Sequence, residues 1–235
     1  MSNIIWSASF DIGKKNFAFY IEEYNIEDIN NQKNITKNKR YNKDGTTTKE
    51  FSKVIKNICL NGKTIIFKNS DLTTGCDKKK YLDKEIYYNM YDLLDSYKEY
   101  WDKCSHFVIE QQMSFGNRRN TMALKLGQHC YSYFVYRYGR FGKKIFEFPA
   151  YHKTQVLGAK KIERKLKSGK ISYKAIDKPA RKKWSIEKAT EILIDRDEVQ
   201  IINELKSKKK KDDLADVLCQ LQSFKYLFFI DKTIT

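Results

Sequence analysis

Apolar and polar positions alternate along residues 4–12, which is the pattern of a β-strand that places one face in the core. The apolar face consists of Ile4, Trp6, Ala8, Phe10 and Ile12. The opposite face is small and polar, and it ends on Asp11. Gly13 is a turn residue and residues 17–21 are apolar again, so the pattern predicts a hairpin that carries one carboxylate in the middle of a sheet.

Helical spacing of apolar positions occurs in four later segments. The helices predicted from it are residues 81–101, 117–138, about 185–195 and a C-terminal stretch that carries the apolar stripe from Leu214 to Phe228. Ser185 is the predicted N-cap of the third helix, because serine is favoured at that position.

Short apolar runs predict further strands between these helices. They are residues 51–60 and 64–68, separated by Asn61-Gly62, then residues 105–112 and 144–148. Residues 25–49 are rich in Asn, Lys and Thr and are expected to form a polar loop or a hairpin extension.

Length and charge limit the class of protein. A chain of 235 residues is long enough for one domain with a substantial core. Its 46 Lys and Arg residues exceed its 29 acids, and the net charge of +17 favours a polyanionic partner, nucleic acid first and an anionic membrane surface second. There is no apolar run of about 18 residues and no secretory leader before Ile4, so we expect an intracellular protein that does not span a membrane.

The cysteines indicate reduced thiols. They are Cys59, Cys76, Cys104, Cys130 and Cys219. An odd number without any Cys-x-x-Cys pair predicts neither a disulfide framework nor a zinc ribbon.

Three carboxylates besides Asp11 occupy positions suited to a metal site. Glu110 lies near the end of the predicted strand 105–112, while Asp213 and Asp216 are three apart and share one face of the last helix. Carboxylates repel one another at close range unless cations bind them, and hard ions such as Mg²⁺ or Mn²⁺ suit oxygen ligands. Two such ions about 4 Å apart are suited to phosphodiester hydrolysis, because they hold the attacking water and stabilise the leaving oxygen.

Each of these acids also has an ordinary structural explanation. Asp11 precedes Gly13 and is typical of a residue that opens a turn. Asp213 and Asp216 follow the lysines at 208–211 and are typical of a helix N-terminus, where acids interact favourably with the helix dipole. Residue chemistry alone leaves both explanations open.

Three motifs nevertheless occur together and in one order. They are Asp-x-Gly-x-Lys-Asn at 11–16, an apolar strand that ends on Glu110, and Asp-x-x-Asp at 213–216. In this order, and on these kinds of element, they resemble the RuvC-like Holliday junction resolvases, above all the branch found in poxviruses and other large DNA viruses. Asp213 rather than Asp212 fits the last motif, because only Asp213 has the required spacing to Asp216.

The resemblance implies an RNase H-like α/β fold, in which helices flank a mixed five-stranded sheet and Asp11 lies in the central first strand. Residues 1–235 would form one domain with insertions at about 25–80 and 160–180, which either extend the DNA contacts or are solvated loops. The implied activity is that of a Mg²⁺-dependent endonuclease in DNA recombination and repair, with Mn²⁺ as the alternative ion. It would act as a homodimer on a four-way DNA junction, each subunit nicking one of two strands of like polarity.

The resemblance also implies roles for individual residues. Asp11 would bridge the two metal ions. The acids that complete the metal shells would be Glu110, Asp213 and Asp216. A lysine near the scissile phosphate is expected, and Lys153 and Lys183 are both candidates. The predicted phosphate contacts, which would not read bases, are Lys14, Lys15, Arg118, Arg119, Lys160, Lys161 and Lys182. A large DNA virus as the source would place the protein in the host cytoplasm.

Two other functions remain open on the sequence. Another RNase H-like nuclease would act on RNA–DNA hybrids or flaps. A non-catalytic basic protein would package nucleic acid, with binding that depends steeply on salt and needs no divalent ion. A membrane-surface protein is disfavoured, because no strongly amphipathic basic helix with an aromatic face is present.

Overall fold

The structure is a computed structural model that describes residues 3–76, 81–112 and 120–234. The strands in these ranges are β1 (Ile4–Asp11), β2 (Phe17–Asn25), β3 (Lys63–Ser70), β4 (Cys104–Gln111), β5 (Lys144–Pro149), β6 (Ile162–Lys165) and β7 (Ile171–Lys174). The α-helices are α1 (Ile26–Asn30), α2 (Lys49–Leu60), α3 (Lys84–Ser96), α4 (Lys98–Trp101), α5 (Thr121–Tyr138), α6 (Tyr151–Val156), α7 (Lys178–Asp195), α8 (Val199–Ser207) and α9 (Lys211–Lys225).

Five strands form one mixed sheet in the order β3-β2-β1-β4-β5. β1 runs antiparallel to β2, and β2 runs antiparallel to β3. β4 is parallel to β1, and β5 is parallel to β4. The predicted α/β class, with a mixed five-stranded sheet and Asp11 in its central first strand, is confirmed.

Both faces of β1 are buried. Ala8 and Phe10 point into an aromatic core shared with α3, α4 and α5, where the rings of Phe10 and Phe134 lie 4.9 Å apart. The small polar face lies under α9, and the side chains of Ser7 and Ser9 on it are fully buried. Helices therefore cover the sheet on both sides, and β1 can hold Asp11 in a fixed position.

The predicted strand at 51–60 is wrong, because this segment is the helix α2. Its buried residues are Phe51, Val54, Ile55, Ile58 and Cys59, which recur at helical spacing. Thr48 caps the helix by accepting a hydrogen bond from the backbone N–H of Phe51. The strand predicted at 64–68 is confirmed as β3, and its partner is β2.

Two helix boundaries also differ from the predictions. The helix predicted over 81–101 is divided into α3 and α4, and Asp83 caps the start of α3. α7 begins seven residues before Ser185, because Asp177 supplies the N-cap and Pro179 lies in the first turn. Ser185 is a buried residue inside that helix and does not cap it.

A buried ion-pair network attaches α9 to β2. The carboxylate of Glu22 accepts hydrogen bonds from Lys225 and Gln222 of α9, and Nη2 of Arg196, just after α7, lies 3.2 Å from its Oε2. Burial opposes the charged form of Glu22, but the two cations outweigh it and lower the pKa of this carboxyl. Glu22 is therefore a charged centre that joins three elements.

The two segments predicted as insertions differ in structure. The described part of 25–80 contains α1, α2 and β3, and β3 is an edge strand of the central sheet. Residues 160–180 contain the separate two-stranded ribbon β6–β7. Among the described residues, no helix combines the length and the apolar character that crossing a membrane requires.

Candidate active site

Three of the predicted acids meet at one end of the sheet. One carboxylate oxygen each from Asp11, Glu110 and Asp216 lies within 4.8 Å of the others. The strand register brings the first two acids together. β1 and β4 are parallel with Phe10 beside Ile109, so Asp11 and Glu110, the next residue on each strand, are also neighbours. Asp216 reaches them from α9, which packs across β1.

A polar contact behind the acids fixes the position of α9. Ser9 donates a hydrogen bond of 2.7 Å to the carbonyl oxygen of Val217. Nε2 of Gln220 lies 3.2 Å from the carbonyl oxygen of Phe10 and 3.0 Å from that of Val108. Val217 is next to Asp216, Phe10 is next to Asp11, and Val108 is two residues before Glu110. Ser9 and Gln220 therefore set the spacing of all three carboxylates.

Lys153 lies inside the acid cluster, the name used for the group of Asp11, Glu110 and Asp216. Its Nζ is 2.7 Å from Oε2 of Glu110 and 3.2 Å from Oδ2 of Asp216, and only 5% of its side chain is exposed. Pro149 ends β5 beside Gln111, and α6 starts two residues later, which carries Lys153 over the end of β4. The parallel pairing of β4 and β5 thus brings a cation from a later element to the carboxylates.

The charges of the cluster do not balance. Burial by itself would lower the pKa of the Lys153 ammonium, but the carboxylates of Glu110, Asp216 and Asp11 outweigh it and raise that pKa. Burial raises the pKa of Asp11 well above its usual range, and repulsion from Glu110 adds to the effect. Three ionised carboxylates against one ammonium would leave two negative charges, which matches the charge of a divalent cation.

Asp213 lies beside this group without belonging to the set within 4.8 Å. Its Oδ2 is buried and has no hydrogen-bond partner among the described residues. Burial raises the pKa of Asp213 to about 6, and the adjacent carboxylate of Asp212 contributes. A buried carboxylate oxygen without a partner is costly, and a cation would satisfy it.

Asp212 has a different environment. It pairs with Lys182 of α7, whose ammonium helps to hold the pKa of Asp212 below its usual value against the effect of burial. Lys182, a predicted phosphate contact, therefore lies next to the acids and is already paired. Lys183 points elsewhere: 80% of its side chain is exposed, and its Nζ lies 3.8 Å from Glu187.

The other predicted phosphate contacts lie around the site or outside the described residues. Lys14 and Lys15 lie in the loop between β1 and β2, three and four residues after Asp11, and Lys15 is exposed. Lys160 and Lys161 are exposed near the root of the β6–β7 ribbon. Arg118 and Arg119, and the predicted helix start at residue 117, lie outside the described residues, and α5 begins at Thr121.

Sequence reasoning missed Ser9 and Gln220 and left Lys153 and Lys183 as alternatives. A signal for Gln220 was present, since it interrupts the apolar stripe of the last helix one turn after Asp216. No comparable signal distinguished the lysines, because the position of Lys153 depends on the pairing of β5 with β4.

The fold agrees with that of one solved resolvase. The chain aligns with the structure of Fowlpox virus resolvase in complex with its substrate Holliday junction DNA at a TM-score of 0.52, with 15% sequence identity over 95% of this chain and 99% of that one. The chain thus shares the fold of that resolvase, including the mixed five-stranded sheet that the resemblance to RuvC-like resolvases implies, and the resemblance is confirmed at the level of the fold.

Two viral proteins identify the family. Uncharacterized protein 170L of Invertebrate iridescent virus 6 is 38% identical over 237 residues, which cover 97% of this chain and 92% of that protein. Uncharacterized protein 97L of Invertebrate iridescent virus 3 is 30% identical over 227 residues, with 92% and 98% covered. The chain belongs to the family of these iridescent virus proteins. No family model matches it.

Proposed function

We propose that the protein is a divalent-metal-dependent endonuclease that resolves four-way DNA junctions by paired symmetric nicks. The observation that carries this proposal is the convergence of Asp11, Glu110 and Asp216 around Lys153 at the end of a resolvase-type sheet. Structural roles for these acids, as a turn opener and as helix N-terminal residues, do not explain why three distant carboxylates lie within 4.8 Å of one another.

The residues present fit a metal ion. The donor set consists only of carboxylate oxygens, its net charge is negative, and the buried Oδ2 of Asp213 beside it lacks a partner. We propose Mg²⁺ as the ion, with Mn²⁺ as a substitute. A pair of such ions held by these four acids would activate water and stabilise the leaving oxygen in phosphodiester hydrolysis.

The chain's own residues would do the rest. Lys153 holds Glu110 and Asp216 in position through its ion pairs and keeps a positive charge where a phosphate would enter. Lys14 and Lys15 in the loop after Asp11, together with Lys182, would position phosphates around it. The net charge of +17 supports binding to a large polyanion such as a DNA junction.

Paired nicks require two sites. The described residues of one chain contain one group of acids of this kind, so symmetric cleavage of two strands needs two copies of the chain. We therefore propose a homodimer. We also propose a role in DNA recombination and repair and a location in the host cytoplasm; the relatives from two invertebrate iridescent viruses support the viral setting.

The test is cleavage of a labelled mobile four-way junction by the purified protein, with Mg²⁺ and with a chelator. We expect paired, ligatable nicks that need the metal. The Asp11→Asn variant should bind the junction like the wild type and should not cut it. The matched control is Glu187→Gln, which removes an exposed acid outside the cluster and should cut normally.

The same assay separates the alternatives. Cleavage of an RNA–DNA hybrid or a flap in preference to the junction would indicate another RNase H-like nuclease. Tight binding without cleavage under any divalent ion would indicate a packaging protein and would assign the acids to structure.

A further inference from the structure

The ribbon formed by β6 and β7 is largely exposed to solvent. It is antiparallel, with Ile162 beside Lys174 and Lys165 beside Ile171, and it is separate from the central sheet. Every residue from 162 to 174 is exposed except Ser172 and Tyr173, which are half-buried. A two-stranded ribbon without a third layer is only marginally stable by itself, so a binding partner would stabilise it.

The root of the ribbon is firmly attached. Gly158 has φ of +76°, and a Cβ at this position would lie 2.7 Å from Cγ2 of Thr47. The backbone N–H of Lys161 donates a 2.7 Å hydrogen bond to the carbonyl oxygen of Asp44. At the far end, Leu166 and Lys170 are hydrogen-bonded across a turn whose Gly169 has φ of +78°. The ribbon therefore projects from a fixed base with a defined tip.

The charge of the ribbon is one-sided. Residues 162–174 contain one acid, Glu163, and five basic residues. The basic residues are Arg164, Lys165, Lys167, Lys170 and Lys174. Across the part of the chain that the structure describes, none of the five has a carboxylate oxygen within 4.0 Å, whereas buried cations such as Arg196 and Lys225 are paired. Unpaired like charges on a marginal ribbon repel one another, and a polyanion would remove that repulsion.

The ribbon is also attached at the edge of the acid cluster. The element before it, α6, carries Lys153 into the cluster. The element after it, α7, carries Lys182, which pairs with Asp212 beside Asp213. A strand of four residues is about 13 Å long at the usual rise, and duplex DNA presents roughly eight phosphates over that length.

We propose that the β6–β7 ribbon is an arm-binding element. It lies along one duplex arm of the junction, next to the cutting site, and contacts the phosphates of that arm. The inference rests on the proposed function, because it takes the DNA held at the acid cluster as its starting point. Its partner is the duplex region of the substrate and not the bonds that are cut. The ribbon therefore contributes to binding and leaves the chemical step unchanged.

A charge-removal variant tests the binding. In Lys165→Gln/Lys167→Gln/Lys170→Gln we expect junction affinity to fall at least about tenfold near physiological salt, and the salt dependence of binding to weaken by the equivalent of about two to three phosphate contacts. Single-turnover cleavage at saturating protein should not change. The matched control is Lys53→Gln/Lys63→Gln/Lys98→Gln, which removes the same charge from exposed positions on α2, β3 and α4 and should bind more tightly than the ribbon variant.

A crosslinking experiment tests the position. All five cysteines are buried, so a Ser168→Cys variant offers one exposed thiol among the described residues for a photoactivatable crosslinker at the tip of the ribbon. We expect crosslinks to a duplex arm at a distance from the nicks. Equal affinity of the two triple variants, or crosslinks confined to the cut site, would overturn the inference.

The two proposals fail in different ways. If the wild type binds branched DNA through the ribbon lysines and cuts none, the proposed cleavage fails, and duplex binding by the ribbon stands without a cutting site beside it. If the wild type cuts the junction and the ribbon variant binds it normally, the arm-binding role fails alone. Binding to phosphatidylserine vesicles that needs these lysines, with DNA binding unchanged, would assign the ribbon to a membrane surface and overturn the inference.

Discussion

Lys153 donates a hydrogen bond to Glu110, with 2.7 Å between Nζ and Oε2. The two residues come from α6 and β4, and the contact is shielded from water because the lysine side chain is only 5% exposed. Burial strengthens the attraction between the two charges but also costs them their hydration, and removal of one partner leaves the other charge buried without compensation. The ammonium is thus part of the acid cluster and not a mobile side chain near it.

Replacement of Lys153 by methionine should therefore affect both cleavage and stability. In Lys153→Met we expect the cleavage rate to fall about 100-fold to 1,000-fold, because a positive charge aimed at the developing phosphate charge is lost. Without divalent ions the free energy of unfolding should fall by about 3 kcal/mol, since the acids lose their cation. Mg²⁺ should restore much of this stability. Single-turnover kinetics and denaturant unfolding with and without Mg²⁺ measure the two effects. Lys183→Met is the control and should change stability by less than about 0.5 kcal/mol; the opposite ranking of the two lysines would refute the assignment.

Divalent-ion binding should weaken as the pH falls through about 6. The pKa of Asp213 is raised from its ordinary 3.8 to about 6, so its protonated form stabilises the metal-free protein. That contribution is fully present below about pH 4 and is lost as the pH rises through about 6. Metal ligands must be deprotonated, so the affinity for Mg²⁺ should rise over the same interval. Calorimetric titration with Mg²⁺ at about pH 5 and about pH 7 measures this change. In Asp213→Asn the dependence should be shallower, with Asp11 carrying what remains; an equal dependence in both proteins would contradict the prediction.

Gln220 should act as a positioning residue. In Gln220→Met the carbonyl groups of Phe10 and Val108 lose a buried donor, so we expect the free energy of unfolding to fall by about 1–3 kcal/mol. Cleavage at saturating Mg²⁺ should fall further than this loss of folded protein explains, because Asp216 shifts relative to Asp11. The affinity for Mg²⁺, measured under conditions where the variant is fully folded, should also fall. The control Gln200→Met changes an exposed glutamine on α8 and should have little effect; normal metal affinity in Gln220→Met would reduce its role to stability alone.

We expect substitutions in the Glu22 network to lower the free energy of unfolding more than substitutions in exposed ion pairs. Glu22→Gln leaves the buried cations Arg196 and Lys225 without their carboxylate, and we expect a loss of about 3–5 kcal/mol in the free energy of unfolding. Glu50→Gln removes the partner of Lys33 in an exposed ion pair and should cost less than about 1 kcal/mol. Chemical denaturation of the two variants provides the comparison. Similar losses in both would show that the network is not an essential attachment of α9.

Much of the architecture follows from local patterns. The alternation in residues 4–12 and the apolar runs at 64–68, 105–112 and 144–148 correspond to β1, β3, β4 and β5 of the sheet. The error at 51–60 has a physical cause, because an apolar run followed by Asn-Gly is compatible with a strand, whereas the N-cap at Thr48 and the i, i+3, i+4 spacing favour a helix. Local patterns also did not reveal that Asp177 starts α7.

Local sequence patterns predicted only part of the candidate site. Three of the four predicted acids lie together in the structure, and the spacing of Asp213 and Asp216 needed only helical geometry. The place of Lys153, the contacts of Gln220 and the pairing of Lys182 with Asp212 all depend on how distant elements pack. Tertiary contacts of this kind have no local signature, so the sequence could not distinguish Lys153 from Lys183.

The hydrogen bond between Ser9 and Val217 joins residues 208 positions apart, which has a consequence during synthesis. β1 is synthesised well before α9, because 208 positions separate Ser9 from Val217. The acid cluster lacks Asp216 until α9 docks on β1, and pairings between such distant segments form slowly because of the entropy of closing a long loop. A nascent chain would therefore carry no complete cluster, and the proposed cleavage activity would begin only when α9 is in place.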